Sequence, residues 1–197
     1  LINILLPYKE KFSKNKASSV SLTVANNLQF SKYKKQIRVF GHNVKNPMYK
    51  RNFIGIDNSW NFLKSRNINL ALKMCNLIKK MKIQKSIIEL HNRPYLTRLV
   101  KSTLHNHSIN LFLHNDPLNM KGSKTIKERK VLLDCVDNIY CVSNFVKEKF
   151  LIGIEKNQKK VKVVYNGVKR KLKSEPIKKN NVIFVGRIVP EKVWISL

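Results

Sequence analysis

The stretch SIIELHNRPYLTRLVKSTL, residues 86–104, contains in one passage the pattern that decides the fold. Its first five residues have the length and the apolar content of a β-strand. Pro94 then suits the first turn of a helix, where a missing backbone N–H is tolerated. Leu96, Leu99 and Val100 follow at helical spacing. The stretch therefore predicts a strand that runs through a short polar loop into a helix.

The same alternation recurs on both sides of this stretch. Short, mostly apolar runs predict strands at residues 2–6, 36–40, 86–90, 110–113, 138–142, 161–165 and 182–185. A second helical pattern covers residues 70–81, and Ser143 is placed to cap a helix that ends near Phe150. Strands that are apolar throughout are typical of parallel sheets covered on both faces. We therefore expect an α/β fold with a doubly wound parallel sheet.

Residues 166–180 differ from the rest of the chain. The segment is basic, contains Pro176 and has little apolar content, which is typical of a linker. The predicted organisation is one domain over residues 1–165, this linker, and a new strand and loop over residues 181–197.

The composition limits the classes of partner. The chain has 197 residues and a net charge of +29, from 40 Lys and Arg against 11 Asp and Glu. The electrostatic field of this positive charge attracts nucleic acid, anionic lipid or phosphorylated small molecules. A solvated basic surface and a role at a membrane surface both remain open. The three unpaired cysteines indicate reduced thiols and hence a cytoplasmic protein.

Polar residues follow the predicted strands at the points where the strands end. Because ligands bind at the carboxyl ends of the strands in open parallel sheets, these residues predict a polar ligand site at one edge. The candidates are His91, Asn92, Arg93, His114, Asn115, Asp116, Ser143, Asn166, Gly167, Gly186 and Arg187.

Several common sites are not supported. The histidines match no zinc spacing, so no metal site is predicted, and His42, His105 and His107 are interpreted as ordinary surface or turn residues. The GxSxG elbow of many hydrolases is absent, as are the GxGxxG and GxxxxGK[ST] phosphate loops.

The most specific feature is VIFVGRIVPEK, residues 182–192. It resembles the start of the second domain of group 1, GT-B glycosyltransferases, where an apolar strand precedes G-R-[apolar]-x-x-E-K-G. Two further segments resemble the family in the right order, NIYCVSNFVKEKFL at 138–151 and VKVVYNGV at 161–168. IIELHNRP at 87–94 and LFLHND at 111–116 also fit strand ends of its first domain.

The resemblance implies a Rossmann-like acceptor-side domain over residues 1–165 and the start of a donor-binding domain after the linker. It implies transfer of a sugar from a nucleotide-diphosphate sugar to a surface glycan or glycolipid. The nucleotide sugar would be a co-substrate, and no metal or other cofactor is expected. By resemblance, Arg187 and Lys192 bind the donor diphosphate, and His114 is the catalytic residue near the transferred sugar. The protein would be cytoplasmic and peripheral on the inner face of the plasma membrane, with an anionic membrane surface as a partner.

The sequence departs from the family pattern at three places. Val193 stands where the family has glycine, the loop at residues 14–19 lacks the glycines that many members have, and the E-x7-E segment would lie beyond Leu197. The chain is therefore expected to be a fragment that is inactive alone. The alternatives are a non-catalytic truncated remnant and a basic RNA-binding protein, although dedicated nucleic-acid binding is not expected.

Overall fold

The computed structural model describes residues 1–57 and 65–167. In these ranges the strands are β1 (Ile2–Leu5), β2 (Ile37–His42), β3 (Phe53–Ile56), β4 (Ile87–His91), β5 (Ser108–Leu113), β6 (Asn138–Cys141) and β7 (Val161–Val163). The helices are α1 (Ser19–Phe30), α2 (Arg66–Lys80), α3 (Thr97–Thr103), α4 (Ile126–Cys135) and α5 (Asn144–Leu151).

The strands form one parallel sheet in the order β3-β2-β1-β4-β5-β6-β7. The strand order reverses direction between β1 and β4, which makes this point the topological switch of a Rossmann-like sheet. The prediction of an α/β fold with a doubly wound parallel sheet is confirmed.

Successive residues of the central strands point to opposite faces, and each face has its own core. Leu5 of β1 belongs to the larger core, which packs α2, α3, α4 and α5 against the sheet. Ile4, next to it in the chain, belongs to the smaller core, which packs Val24 and Leu28 of α1 against β1 and β2.

The predicted helix at residues 70–81 is confirmed and begins earlier, at Arg66. The Ser65 side chain caps it by accepting a hydrogen bond from the Ile68 N–H, at 3.4 Å. Leu70, Met74 and Ile78 are spaced by four residues and are all buried, as a helix packed on a sheet requires. None of the described helices is long and apolar enough to cross a membrane.

Some elements differ from the sequence-based expectation. Strand β3 and helices α1 and α4 were not predicted, and the predicted strand at 161–165 ends at Val163. Val164 and Tyr165 are instead exposed beyond the strand. The predicted strand at 182–185 and most of the predicted linker lie outside the described residues.

Candidate functional site

The carboxyl ends of β4 and β5 bring two histidines together. His91 is the last residue of β4, and His114 follows the last residue of β5. His91 Nδ1 lies 2.9 Å from His114 Nε2, which is a hydrogen-bond distance, and the two ring centroids are 5.2 Å apart. The structure therefore places these two predicted residues in one cluster at the ligand edge.

Asn92 holds this cluster in place. Its backbone is left-handed, with φ 51°, a conformation in which asparagine is enriched among residues other than glycine. Its N–H donates to the Phe112 carbonyl at 2.9 Å, and its side-chain oxygen accepts from the His114 N–H at 2.8 Å. The sharp turn after β4 thus fixes the start of the loop after β5.

The His91 ring is only 3% exposed and stacks on Phe112, with centroids 4.7 Å apart and an interplanar angle of 7°. Its Nε2 atom has no hydrogen-bond partner among the described residues. The nearest charge is Glu89, whose Oε2 atom lies 3.9 Å away, within the range of an ion pair but beyond hydrogen-bond distance. The His91 Nε2 atom is therefore buried but unsatisfied.

This charge favours one arrangement of protons in the histidine pair. A carboxylate near Nε2 favours a proton on that atom, so a neutral His91 accepts a hydrogen bond at Nδ1. His114 must then donate through Nε2–H, and its Nδ1 atom keeps a free lone pair. His114 therefore offers a hydrogen-bond acceptor to a ligand.

His114 is uncharged at neutral pH. Burial of the ring, together with the neighbouring His91, lowers the pKa of His114 from 6.5 to about 3. A neutral imidazole can pair with a hydroxyl group without attracting phosphate. The cluster is thus suited to a neutral, hydroxylated ligand group.

Other predicted residues at this edge mainly shape loops. Arg93 donates from Nη1 to the Asn92 carbonyl at 2.6 Å. Asp116 caps the short 3-10 turn at Pro117–Asn119, accepting from the Leu118 N–H at 2.9 Å. Asn115, between His114 and Asp116, is exposed.

Ser143 caps α5 as predicted, since its hydroxyl accepts from the Val146 N–H at 3.3 Å. Asn166 and Gly167 are exposed beyond β7, and nothing lies within 4 Å of the position that a Gly167 side chain would take. Gly186, Arg187 and Lys192 lie outside the described residues.

The edge also contains residues that the sequence did not single out. Tyr8 follows the end of β1, and its ring centroid lies 4.8 Å from that of His42. The Arg66 guanidinium lies 5.1 Å from the Tyr8 centroid, and the Tyr8 N–H donates to the Asn67 side chain at 2.8 Å. The interpretation of His42 as a surface or turn residue was wrong, because it ends β2 and its Nδ1 atom is buried.

The interpretation of His107 as a turn residue is confirmed, since its N–H donates to the Leu104 carbonyl at 3.0 Å, but the interpretation as a surface residue was wrong. It is only 5% exposed and lies at the opposite edge of the sheet, where β4 and β5 begin. Its Nδ1 atom is 2.7 Å from the Ser86 hydroxyl oxygen, which accepts a hydrogen bond from the Asn3 side chain at 2.9 Å. We call Asn3, Ser86 and His107 the amino-edge chain. His105 is exposed, as predicted.

Within residues 1–57 and 65–167, no group of three His, Cys, Asp or Glu side chains could hold a metal ion. Cys75, Cys135 and Cys141 are free thiols.

No protein-family model matches the chain, and no curated protein matches it either. The fold and the edge together define the class of the protein. It is a Rossmann-like α/β protein with a polar, histidine-containing cluster where such sheets bind ligands.

Proposed function

We propose that the chain is part of a group 1, GT-B glycosyltransferase, comprising the acceptor-side domain and the start of the donor-binding domain. Its reaction would transfer a sugar from a nucleotide-diphosphate sugar to a surface glycan or glycolipid. The observation that carries the proposal is the His91–His114 pair at the carboxyl edge, where His91 ends β4 at the switch point of a Rossmann-like sheet and His114 follows the neighbouring strand β5. The three segments at 138–151, 161–168 and 182–192 support it by their order along the chain.

In this proposal His114 hydrogen-bonds a hydroxyl of the transferred sugar. Its backbone is fixed by Asn92 and its ring by His91, so little side-chain freedom is lost when a ligand binds. Because the ring is uncharged, it does not compete with basic side chains for the donor diphosphate. The sugar is thereby oriented for attack by an acceptor hydroxyl.

The donor diphosphate is assigned to Arg187 and Lys192. During transfer, the bond from the anomeric carbon to the diphosphate breaks, and negative charge develops on the leaving oxygen. A guanidinium fork and an ammonium group stabilise such charge when they are held in place beforehand. These two roles rest on the motif at 182–192 and not on the geometry of the described residues.

The net charge of +29 also fits a glycolipid acceptor. Anionic membrane surfaces attract basic proteins, with about 1 kcal/mol for each Lys or Arg near the surface. Peripheral association on the cytoplasmic side would therefore place the carboxyl edge near the acceptor. This attraction is screened by salt, so vesicle binding is expected to weaken as ionic strength rises.

The role of His114 is tested by saturation-transfer NMR of the full chain against free monosaccharides and nucleotide-diphosphate sugars. His114→Ala is expected to reduce binding of the responding sugar about tenfold or more, the effect of losing one or two hydrogen bonds in a pocket. His105→Ala is the matched control, because this histidine is exposed. A wild-type chain that binds no sugar, or equal binding in both variants, would falsify the role of His114.

The donor role is tested by calorimetric titration with nucleoside diphosphates. Arg187→Ala is expected to weaken binding about tenfold or more, while sugar binding measured by NMR stays unchanged. The exposed Arg51, changed to Ala, is the control for loss of one positive charge. Equal nucleotide affinity in the Arg187→Ala variant and the wild type would reject the assignment of Arg187.

A further inference from the structure

The two faces of the sheet are covered unequally. Helices α2, α3, α4 and α5 pack in the larger core on one face. On the other face, α1 packs against β1 and β2, but no residue of β4, β5, β6 or β7 belongs to that smaller core. Parallel sheets are normally covered on both faces. In the described ranges, half of this face therefore lacks the cover that such a sheet requires.

The uncovered half carries a defined row of side chains. In the parallel register Ile4 pairs with Glu89. His91 pairs with Phe112, which in turn pairs with Tyr140. Paired residues, and residues two apart in a strand, share one face of a sheet. The rings of His91, Phe112 and Tyr140 stand in a row, with centroid distances of 4.7 and 4.8 Å. We call Glu89, His91, Phe112 and Tyr140 the open face. Together with α1, it lines a groove of about 390 Å³.

The groove contains one carboxylate, and neither Lys nor Arg lines it. Glu89 is half-buried there among apolar and aromatic side chains. Within the described residues, no Lys or Arg forms an ion pair with it. Burial and this carboxylate raise the pKa of Tyr140, so the charge acts on the same groove. A partly buried carboxylate is stabilised by a cation that pairs with it. The open face therefore suits a segment with apolar side chains and at least one positive charge.

The chain itself supplies such a segment. Val164 lines the groove just beyond β7 and is 47% exposed. Residues 168–180, VKRKLKSEPIKKN, begin four residues later and contain six Lys or Arg against one Glu. Val168, Arg170 and Leu172 alternate in this segment, so an extended backbone presents two apolar side chains and one positive charge on the same side. This set complements the aromatic row and the carboxylate of the open face.

The length of the segment matches the span. In the sheet order, β7 lies three strands from β4, which is about 14 Å at about 4.8 Å per strand. The six residues from Val164 to Arg170 reach about 20 Å when extended. Arg170 can therefore lie over Glu89 while residues 165–169 cross β6 and β5.

We propose that residues 168–180 pack across the open face, with Arg170 paired to Glu89 and with Val168 and Leu172 against the groove. The segment that the sequence predicts as a linker is then part of the surface of the first domain. Because His91 belongs both to the open face and to the histidine pair, the packed segment lies beside the candidate ligand site. This packing does not depend on the proposed sugar transfer.

Cross-linking of the full chain tests the position of the segment. Cys135→Ser gives a suitable background, because Cys75 and Cys141 are buried and burial raises their pKa values to about 11 and about 12, which keeps them unreactive. The test variant is Ile87→Cys/Lys171→Cys, since Ile87 lines the groove on β4 and is exposed. We expect a short bismaleimide to join the two thiols within one molecule. Mass spectrometry of the peptides identifies the bond.

The matched control is Ser102→Cys/Lys171→Cys. Ser102 is exposed on α3, which packs on the opposite face of the sheet, so we expect no cross-link in this pair. Equal cross-linking of both pairs, or a cross-link in neither, would overturn the proposal. Cross-links between two molecules, seen as dimers on a denaturing gel, would also overturn it, because a second copy would then cover the open face. Thermal melting checks that each variant is folded, which the exposed positions favour.

A charge swap tests the pairing of Arg170 with Glu89. In the Ile87→Cys/Lys171→Cys variant, Glu89→Lys should slow intramolecular cross-linking about twofold to fivefold, the effect of losing one partly exposed ion pair. Adding Arg170→Glu should restore the rate. Glu148→Lys, at an exposed position of α5, is the charge control and should leave the rate unchanged. An unchanged rate in Glu89→Lys, or a further loss in the swapped variant, would reject the pairing and with it the proposal.

Discussion

The two edges of the sheet use similar side chains in different ways. At the amino edge, the amino-edge chain joins three buried side chains by hydrogen bonds of 2.9 and 2.7 Å. At the carboxyl edge, His91 and His114 share one hydrogen bond of 2.9 Å, while His91 Nε2 has no partner among the described residues. His42 Nδ1 is likewise buried at the carboxyl edge without a partner there.

This difference distinguishes polar groups that stabilise the fold from polar groups that are available for binding. A buried polar group costs free energy unless it is hydrogen-bonded, so the amino-edge chain contributes to the fold through its internal bonds. Among the three residues of the amino-edge chain, only the Asn3 Oδ1 atom has no hydrogen-bond partner in the described residues. At the carboxyl edge two buried nitrogens, His91 Nε2 and His42 Nδ1, have no partner among the described residues, and this is the edge at which such sheets bind ligands. Changes at the amino edge should therefore have the larger effect on stability, and changes at the carboxyl edge should affect binding more than stability.

The largest effect is expected from Ser86→Ala. The change leaves the Asn3 amide and His107 Nδ1 without their shared partner in a buried position. We expect the free energy of unfolding to fall by about 2–4 kcal/mol, since each unsatisfied buried group costs about 1–3 kcal/mol. Urea unfolding followed by circular dichroism measures this loss.

Ser108→Ala is the control for Ser86→Ala, since Ser108 starts β5 at the same edge but is exposed. It should change the free energy of unfolding by less than about 0.5 kcal/mol. Equal stabilities of the two variants would mean that the amino-edge chain has no structural role.

A smaller loss of stability is expected from Asn92→Ala. The backbone at φ 51° suits alanine less well than asparagine, and the His114 N–H loses its acceptor. We expect a cost of about 1–2 kcal/mol, because the half-buried His114 N–H can find water. Asn92→Gly relieves the backbone part of this cost, so it should be more stable than Asn92→Ala in the same urea assay. The opposite order would contradict a left-handed turn at this position.

The histidines also predict the pH dependence of stability. The folded-state pKa of His114 is lowered to about 3, so the unfolded chain binds the proton more tightly than the folded chain does. The contribution of His114 to the free energy of unfolding is fully present above about pH 6.5 and is lost as the pH falls toward about 3. Because His114 is partly exposed, we expect the free energy of unfolding to fall by about 1–2 kcal/mol at about pH 4.5.

Urea unfolding at several pH values measures this loss. His114→Gln should flatten the dependence, while His105→Gln should change it only slightly, by removing a charge that helps to lower the pKa of His107. Burial also lowers the pKa of His107, so a residual dependence of the same sign should persist in His114→Gln. A stability that rises as the pH falls from 6.5 would contradict the lowered pKa.

The smallest effect on stability is expected from Glu89→Gln. A carboxylate 3.9 Å from an imidazole nitrogen, without a hydrogen bond, contributes little, so stability should change by less than about 0.5 kcal/mol. The tautomer of His91 should nevertheless change, because the charge that favours a proton on Nε2 is removed. Imidazole ¹⁵N NMR measures the tautomer, and the exposed Glu148, changed to Gln, is the control. An unchanged tautomer would mean that Glu89 does not set it.

Much of the fold could be predicted from local sequence. Strands buried on both faces are continuous apolar runs, and the change from apolar to polar residues marks their ends. This is why the sequence alone predicts His91 and His114 at one edge of the sheet. Strand β3 was missed because Gly55 interrupts its short apolar run at the border of the sheet. Helix α1 was missed because its serines, threonine and valines make it a weak helix former by composition.

Other features depend on partners that are distant in the chain. His107 bonds to Ser86, 21 residues away, and no local pattern distinguishes it from the exposed His105. Lys45 is one basic residue among 40 in the sequence, and only the fold places it on a cleft shared with the loop at 11–16. The carboxylate of Glu10 is removed from that cleft only because α1 begins beside it.

Residue order alone was therefore enough to predict a parallel α/β sheet and the edge at which its polar loops gather. Apolar periodicity and the alternation of strands with helices are local properties, and parallel strands must end on a common side. Packing determined which polar atoms are paired, which histidines are buried and which lysines share a cleft. Burial and hydrogen bonding depend on neighbours brought together by folding, and those neighbours cannot be identified from spacing along the chain.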